Sequence, residues 1–439
     1  MKILWICNIM PPVIGKALGI ETSIKEGWIS GILEQMTEAE EEIELSICYP
    51  IAKEAHRNNF SLEITSELSG KTKKIECYEF YEDQVRPEVY GGTGLEKRME
   101  EIFQKVRPDL LHLFGTEYGH SLAAVRAFRK KDKILVGIQG VVAECALEYM
   151  AGLSDKIQKR KSFRDILKQD SMKQQQKKFF LRAKREEEIL KLSGCATGRT
   201  EFDYRAVKKR NPDIKYYAMN ETMRTEFYQG EWRSSDCVKY RIFFSQADYP
   251  LKGFHHMLQA AGILKKKYPS LTIHVAGNSI FSYKTIKEKI KISAYGTYLR
   301  KLIQDYGLEG MVEIKGKLLA EEMKQEYLSA HCFVCASSVE NSPNSVAEAM
   351  LLGTPVIASD TGGIPSMIRD GIEGLLFTKN DSQALADCID KVWSNDTLAN
   401  TLSKKGRETS FVRHDPGKNY RRLMEIYDEI VNRKEIHDK

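Results

Sequence analysis

The chain has 439 residues, of which 42% are hydrophobic and 29% charged, and its formal net charge is +6. These values are ordinary for a water-soluble protein of two domains of roughly 200 residues each. No stretch of the sequence approaches the ~20 apolar residues of a membrane span, which argues against an integral membrane protein.

The first half alternates short apolar runs with longer amphipathic ones, which predicts strands and helices of a parallel sheet. The opening, MKILWICNIMPP, indicates a buried strand feeding a turn rather than a secretion signal. Strands are predicted at 2–8, 43–49, 74–80, 109–114, 133–139 and 194–199, and helices near 20–38, 94–106, 119–130, 165–192 and 201–210.

The second half restarts the same pattern after an aperiodic stretch near 218–237, which we interpret as the link between two domains. Strands are predicted at 239–247, 271–277, 311–316, 331–337, 355–360 and 374–377, with helices between them. Both halves therefore read as α/β domains with a doubly wound parallel sheet, which bind ligands beyond the carboxyl ends of their strands.

Cysteine usage indicates the redox compartment of the protein, and the distribution of charge indicates the kind of partner that it binds. The nine cysteines are scattered through apolar strands, which favours free thiols in a reducing cytoplasm over disulfides or a zinc site. Twelve Lys or Arg between 156 and 185 face only two Asp, so the rest of the chain is slightly acidic. We expect this segment to contact an anionic membrane surface rather than nucleic acid, with a solvated helix as the alternative.

The stretch from Ser337 to Ile357, SSVENSPNSVAEAMLLGTPVI, carries the strongest functional signal. A strand ends in a polar loop with Glu340, and the loop enters a predicted helix that bears Glu348. Free N–H groups at a helix N-terminus bind anions, so two carboxylates beside them suit a nucleotide-sugar.

This stretch resembles the E-x7-E motif of the family 4 retaining glycosyltransferases, in the version found in bacterial surface-polysaccharide members. The resemblance implies the GT-B fold, in which two Rossmann-like domains face each other across a cleft and the last helix returns to the first domain. On that basis the domains are 1–218 with 418–439, on the acceptor side, and 219–417, which binds the donor.

The resemblance also implies roles for residues of the second half. Glu340 holds the transferred sugar near the reacting carbon, and Glu348 accepts hydrogen bonds from the ribose. The backbone amides of Asn344 and Ser345 bind the diphosphate, and the turn at Gly316 contacts the base.

Lys252 and Gly253 match the Lys-Gly pair of the family, whose lysine binds the donor diphosphate. The arginine that usually precedes this pair is missing, since Gln246 and Ala247 occupy those places. The sequence does not show which group replaces it.

In the first half the resemblance is looser. Gly15 and Gly19 resemble the glycine loop that closes over the donor phosphates, and Gln139 stands where many relatives have a histidine that touches the donor sugar. The residues expected on the acceptor side or at the cleft, without an assigned role, are His112, Glu117, Arg199, Asn220 and Glu221.

Together these features predict a retaining hexosyltransferase of the cytoplasm, or of the inner face of the cell membrane. It transfers a sugar from a UDP- or GDP-sugar to a lipid-linked or oligosaccharide acceptor. We expect no cofactor and no metal ion, because the chain contains no D-x-D motif and Lys252, amides and a helix dipole meet the charge of the diphosphate. The alternatives are a non-catalytic GT-B subunit of a transferase complex and a nucleotide-sugar 2-epimerase.

Overall fold

A computed structural model describes residues 1–20, 27–39, 43–51, 59–281, 285 and 290–433. The chain divides into two compact units. The first unit comprises Met1–Ala143, Phe179–Thr222 and His414–Lys439, and the second comprises Glu144–Lys178 and Met223–Arg413. The predicted domains differ from these units chiefly at 144–178, which belongs to the second unit.

The sheet of the first unit has the strand order β3-β4-β2-β1-β5-β6-β7-β8. Its strands are β1 Lys2–Ile6, β2 Glu44–Ile51, β3 Asn59–Thr65, β4 Thr72–Tyr81, β5 Leu110–Phe114, β6 Ile134–Gly137, β7 Cys195–Gly198 and β8 Lys215–Ala218. Strand β3 pairs antiparallel with β4, and the other pairs are parallel.

The sheet of the second unit is parallel throughout, in the order β11-β10-β9-β12-β13-β14. Its strands are β9 Arg241–Phe244, β10 Thr272–Ala276, β11 Val312–Gly316, β12 Cys332–Cys335, β13 Val356–Asp360 and β14 Leu375–Thr378. Strands β9, β12 and β13 are therefore neighbours, and their carboxyl ends lie at one edge of the sheet.

Helices connect the strands in both units. In chain order the described helices are α1 Pro12–Leu18, α2 Gly27–Glu38, α3 Gly92–Val106, α4 Gly119–Phe128, α5 Val142–Glu148, α6 Asp155–Gln158, α7 Phe163–Lys168, α8 Met172–Leu192, α9 Glu201–Arg210, α10 Phe254–Leu264, α11 Ala294–Asp305, α12 Ala320–Ser329, α13 Asn344–Leu352, α14 Ser382–Trp393, α15 Asp396–Arg413 and α16 Pro416–Asn432. Among the residues that the structure describes, none of these helices combines the length and apolarity that crossing a membrane requires.

The side chains of β1 alternate between two apolar clusters, which shows that helices cover both faces of the first sheet. Ile3 and Trp5 pack in one apolar cluster with side chains of α16, while Leu4 and Ile6 pack in another with side chains of α3 and α4. Successive side chains of a strand point to opposite faces, so two helical layers sandwich this sheet. The predicted doubly wound fold is confirmed.

All twelve predicted strands are present, but two strands were not predicted. In β3, polar and apolar residues mix and most side chains are partly or fully exposed, so no clear alternation marks it. Strand β8 has one buried residue, Tyr217, and the other three are partly or fully exposed, so no apolar run marks it. The predicted helix 165–192 is wrong as a single element, because Gln169 adopts a left-handed conformation that ends α7 before α8 begins.

The buried hydroxyl of Tyr427 ties the last helix to the first sheet. It accepts a hydrogen bond from Trp5 Nε1 at 2.9 Å and lies 2.7 Å from His112 Nδ1. The indole N–H can only donate, so the tyrosine oxygen is the acceptor of that bond. Burial lowers the pKa of His112 to about 3, so its imidazole is neutral.

We predict that Tyr427→Phe destabilises the first unit by about 2 kcal/mol or more, because two buried nitrogens lose their partner. Urea unfolding followed by circular dichroism measures this. Tyr204→Phe on α9, which removes the hydroxyl of an exposed tyrosine, is the matched control and should stay within about 0.5 kcal/mol of the wild type. Equal midpoints for the two variants would contradict the prediction.

Candidate functional site

Lys252 and Glu340 form the ion pair at the centre of the candidate site in the second unit. The Lys252 ammonium lies 2.6 Å from Glu340 Oε1, and Ser337 Oγ donates to the same oxygen at 2.6 Å. The two charged side chains are mostly buried, with 21% and 13% of their surface exposed. Glu340 Oε2 carries no hydrogen bond within the described part of the chain, so it is available to a ligand.

Two glycines allow the loops of this pair to approach each other. Gly253 follows Lys252 at φ +71°, and a Cβ there would lie 1.9 Å from the Ala336 carbonyl oxygen at the end of β12. Gly362, at φ +55° after β13, would place a Cβ 1.9 Å from the Glu340 carbonyl oxygen. Any larger residue would separate the loops, so the two glycines set the distance between cation and carboxylate.

The surroundings of Lys252 keep its side chain protonated. Burial by itself lowers the pKa of this lysine, but the carboxylate of Glu340 outweighs burial and raises the pKa above its ordinary value. The ammonium is therefore a fixed positive charge near neutral pH, as binding of a diphosphate requires.

Helix α13 presents free backbone amides beside this pair. Its N-cap is Pro343, whose side chain caps no N–H group. In the described part of the chain, the amides of Asn344 and Ser345 donate to no protein acceptor. These amides and the positive end of the helix dipole make an anion site.

Glu348 lies one turn further along α13 and is buried. Its Oε1 accepts a hydrogen bond from Arg224 Nη2 at 2.8 Å, and its Oε2 accepts one from the Tyr327 hydroxyl at 3.3 Å. Burial raises the pKa of Glu348, while Arg224 opposes the rise. Each carboxylate oxygen keeps a second lone pair that a ligand hydroxyl can use.

Arg224 was not among the predicted site residues. Its position in the aperiodic stretch before β9 gives no signal of contact with Glu348, which is 124 residues away along the chain. The pairing supplies a mostly buried arginine to the site. Ala247, which stands where the resemblance implies an arginine, is itself buried.

Gly316 ends β11 with φ +75°, and the space beside its α-carbon is open. Its carbonyl oxygen accepts a hydrogen bond from the amide of Gly277 at 2.7 Å. Both glycines lie at the same edge of the second sheet as Lys252 and Glu340, because β10 and β11 run parallel to β9.

In the first unit, one pocket brings several predicted residues together. Its lining includes His112, Gln139, Arg199, Asn220 and Glu221. Arg199 forms a buried ion pair with Glu221 and donates to the carbonyl oxygen of Gln139 at 3.0 Å. Burial lowers the pKa of Arg199, but Glu221 outweighs it and the pKa is raised. The arginine therefore holds the ends of β6 and β7 in place.

His112 lies in the middle of β5 and is fully buried. Its Nδ1 is bonded to Tyr427, and its Nε2 has no partner within the described residues. The predicted strand 109–114 and β5 end at the same residue, Phe114.

Glu117 lies in a polar network that the sequence did not reveal. Its Oε2 accepts a hydrogen bond from Asn8 Nδ2 at 3.3 Å, and Asn8 Oδ1 lies 3.1 Å from His120 Nε2. His120 Nδ1 lies 2.6 Å from buried Glu82. Burial raises the pKa of Glu82, yet the hydrogen bonds and charge of His120 outweigh it and lower the pKa. Asn8, Glu82 and His120 thus position Glu117 at the carboxyl edge of the first sheet.

The expected glycine loop of the first unit is also corrected. Gly15 lies inside α1, and Gly19 is its left-handed C-cap. Pro12 starts this helix at a position where the missing N–H costs nothing. One glycine is therefore part of the helix and the other ends it, so the two do not form a continuous loop.

Among the residues that the structure describes, no three His, Cys, Asp or Glu side chains are grouped so that they could hold a metal ion.

Residues 235–409 match the family described as glycosyl transferases group 1. The amylovoran biosynthesis glycosyltransferase AmsK of Erwinia amylovora is 31% identical over 142 residues, which cover 30% of this chain and 34% of AmsK. Alignments with other curated relatives likewise span less than half of those proteins, 43%, 44% and 40% in three cases.

Solved structures match over nearly the whole chain. Sucrose-phosphate synthase of Thermosynechococcus elongatus aligns with a TM-score of 0.69 at 15% identity, covering 98% of this chain and 99% of the synthase. HepE of Anabaena, solved with UDP and glucose, aligns with a TM-score of 0.65 at 14% identity, covering 98% and 100%. At such identities the likeness shows the fold alone. The chain therefore has the GT-B fold, and its residues 235–409 are similar to the group 1 glycosyl transferases.

Proposed function

We propose that this protein is a retaining, family 4 glycosyltransferase that transfers a sugar from a UDP- or GDP-sugar to a glycan or lipid-linked acceptor in surface-polysaccharide synthesis. The observation that carries the proposal is the Lys252–Glu340 ion pair beside the uncapped N-terminus of α13. A cation, free amides and a partly available carboxylate are the groups that a sugar diphosphate requires.

In this proposal the donor binds along α13. Lys252 and the amides of Asn344 and Ser345 hold the diphosphate, and the second lone pairs of Glu348 accept hydrogen bonds from the ribose. Arg224 positions Glu348 and opposes the rise of its pKa that burial causes. Glu340 Oε2 accepts hydrogen bonds from the sugar, because its other oxygen is occupied by Lys252 and Ser337.

The transfer follows from these positions. The bond between the anomeric carbon and the phosphate oxygen breaks, and its electron pair leaves with the diphosphate, whose charge Lys252 and the amides stabilise. The acceptor hydroxyl attacks the same face of the sugar and gives its proton to the departing phosphate, so the configuration is retained. Glu340 is a poor nucleophile while bonded to Lys252, and it stabilises the positive charge that develops on the ring.

The polar groups of the first unit fit an acceptor rich in hydroxyl groups. Glu117, Gln139 and Asn220 are partly exposed at the carboxyl edge of its sheet, and carboxylates and amides form hydrogen bonds with sugar hydroxyls. We assign acceptor recognition to this edge.

Nucleotide binding tests the donor site first. We predict that Glu348→Gln and Lys252→Ala weaken binding of UDP or GDP by about tenfold or more, since each removes a charge-assisted hydrogen bond. Isothermal calorimetry measures the affinities, after a thermal-shift screen of UDP- and GDP-sugars has identified the base. Lys391→Ala, an exposed lysine of the same unit, is the control. Unchanged affinity in both site variants would remove the donor site from α13.

Glu340→Gln separates binding from catalysis. We predict near-native affinity for the free nucleotide but a rate reduced by roughly 10²-fold or more, because the charge is lost only where the transition state needs it. Glu309→Gln, an exposed glutamate of the same unit, should keep full activity. Full activity of Glu340→Gln, or an inverted anomeric centre seen by NMR of the product, would refute the mechanism.

Turnover should be independent of divalent ions, because Lys252 and the α13 amides neutralise the leaving diphosphate. We predict equal rates in EDTA and in added Mg²⁺ or Mn²⁺, measured by release of the nucleoside diphosphate. Loss of activity in EDTA that Mg²⁺ restores would show that the protein charges alone do not suffice.

A further inference from the structure

Three large apolar side chains are exposed together on the short helix α7. Phe163 is 67% exposed, Ile166 63% and Leu167 73%. Positions i, i+3 and i+4 lie on one face of a helix, so the three side chains form a single patch. Single exposed apolar residues are ordinary on protein surfaces, whereas a cluster of large ones indicates an interaction site.

The orientation of α7 is fixed by its polar residues. Ser162 and Asp165 form a capping box at its start, and buried Asp165 accepts a hydrogen bond from the amide of Ala294 at 2.8 Å. Arg164 pairs with Asp165 and with Asp170, at 3.3 and 3.0 Å. The polar face thus points into the second unit and the apolar face points outward, the reverse of an ordinary surface helix.

Cations dominate the exposed charges of this segment. The exposed cations are Lys156, Lys159, Lys161, Lys168, Lys173 and Lys177. Of the nearby acidic residues, Asp155 is exposed, Asp165 is buried, and Asp170 pairs with Arg164 and Lys178. The outward-facing apolar patch therefore lies in a strongly basic segment.

We propose that α7 is a membrane-docking helix, which inserts Phe163, Ile166 and Leu167 into the interface of an anionic phospholipid bilayer. The lysines contact the lipid phosphates, and the apolar side chains enter the acyl boundary. A bilayer is the partner that satisfies both features, because nucleic acid would pair the lysines but leave the aliphatic side chains in water. The proposal of membrane binding does not depend on the proposed transferase reaction. Membrane binding would bring the protein to a lipid-linked acceptor.

Vesicle sedimentation of the full chain tests the proposal. The probes are vesicles of phosphatidylcholine alone and with about 30% phosphatidylglycerol, at about 50 and 500 mM salt. We expect the wild type to partition at least about tenfold more strongly onto the anionic vesicles. High salt should weaken that binding, because it screens the lysines.

Two variants and a matched control separate the contributions. F163S/I166S/L167S should lose about tenfold or more of the partition, and K159E/K161E/K168E should lose the preference for anionic vesicles. L68S/V85S/V412S, which alters exposed apolar residues elsewhere, should change binding by less than about twofold. All these positions are exposed, so circular dichroism should show native folding.

Three results would overturn the proposal. They are absence of wild-type binding to either vesicle, equal partition onto both, and unchanged binding of F163S/I166S/L167S. Binding of a DNA duplex without binding of vesicles would assign the lysines to nucleic acid instead.

Discussion

The pairing of Lys252 with Glu340 depends on the order of strands in the second sheet. Strands β9 and β12 are neighbours although nearly ninety residues separate them in sequence. Because both run in the same direction, the loops at their carboxyl ends meet, and one delivers the cation while the other delivers the carboxylate. The helix that follows the second loop then places its amides beside the pair. A different strand order would leave the same residues without a shared site.

Much of the candidate site could be predicted from the sequence, because its signals are local. Glu340, Pro343 and Glu348 belong to one strand–loop–helix unit, and each residue has a role that short-range geometry dictates. The alternation of apolar runs likewise predicted every strand that is buried on both faces. Prediction failed at β3 and β8, whose exposure removes the apolar signal, and at Gln169, where a residue other than glycine adopts a left-handed conformation.

The long-range partners could not be predicted, since nothing in the sequence near a residue names the side chain that it meets. Arg224 and Glu348 form a mostly buried ion pair, yet the arginine lies in a stretch without period. The Asn8–His120–Glu82 network joins the ends of three strands, and each member alone resembles an ordinary polar residue. Burying such charges is costly, so the pairs persist only with their partners in place.

The return of α16 to the first unit has a consequence for biosynthesis. Tyr420, Leu423 and Tyr427 complete one face of the core around β1, yet they follow every segment of the second unit in the chain. The first sheet can pair its strands early, but that apolar face stays uncovered until α16 has been made. The second unit, whose segments finish at Arg413, can close its core sooner. The unit whose strands are made first is therefore the unit whose core is completed last.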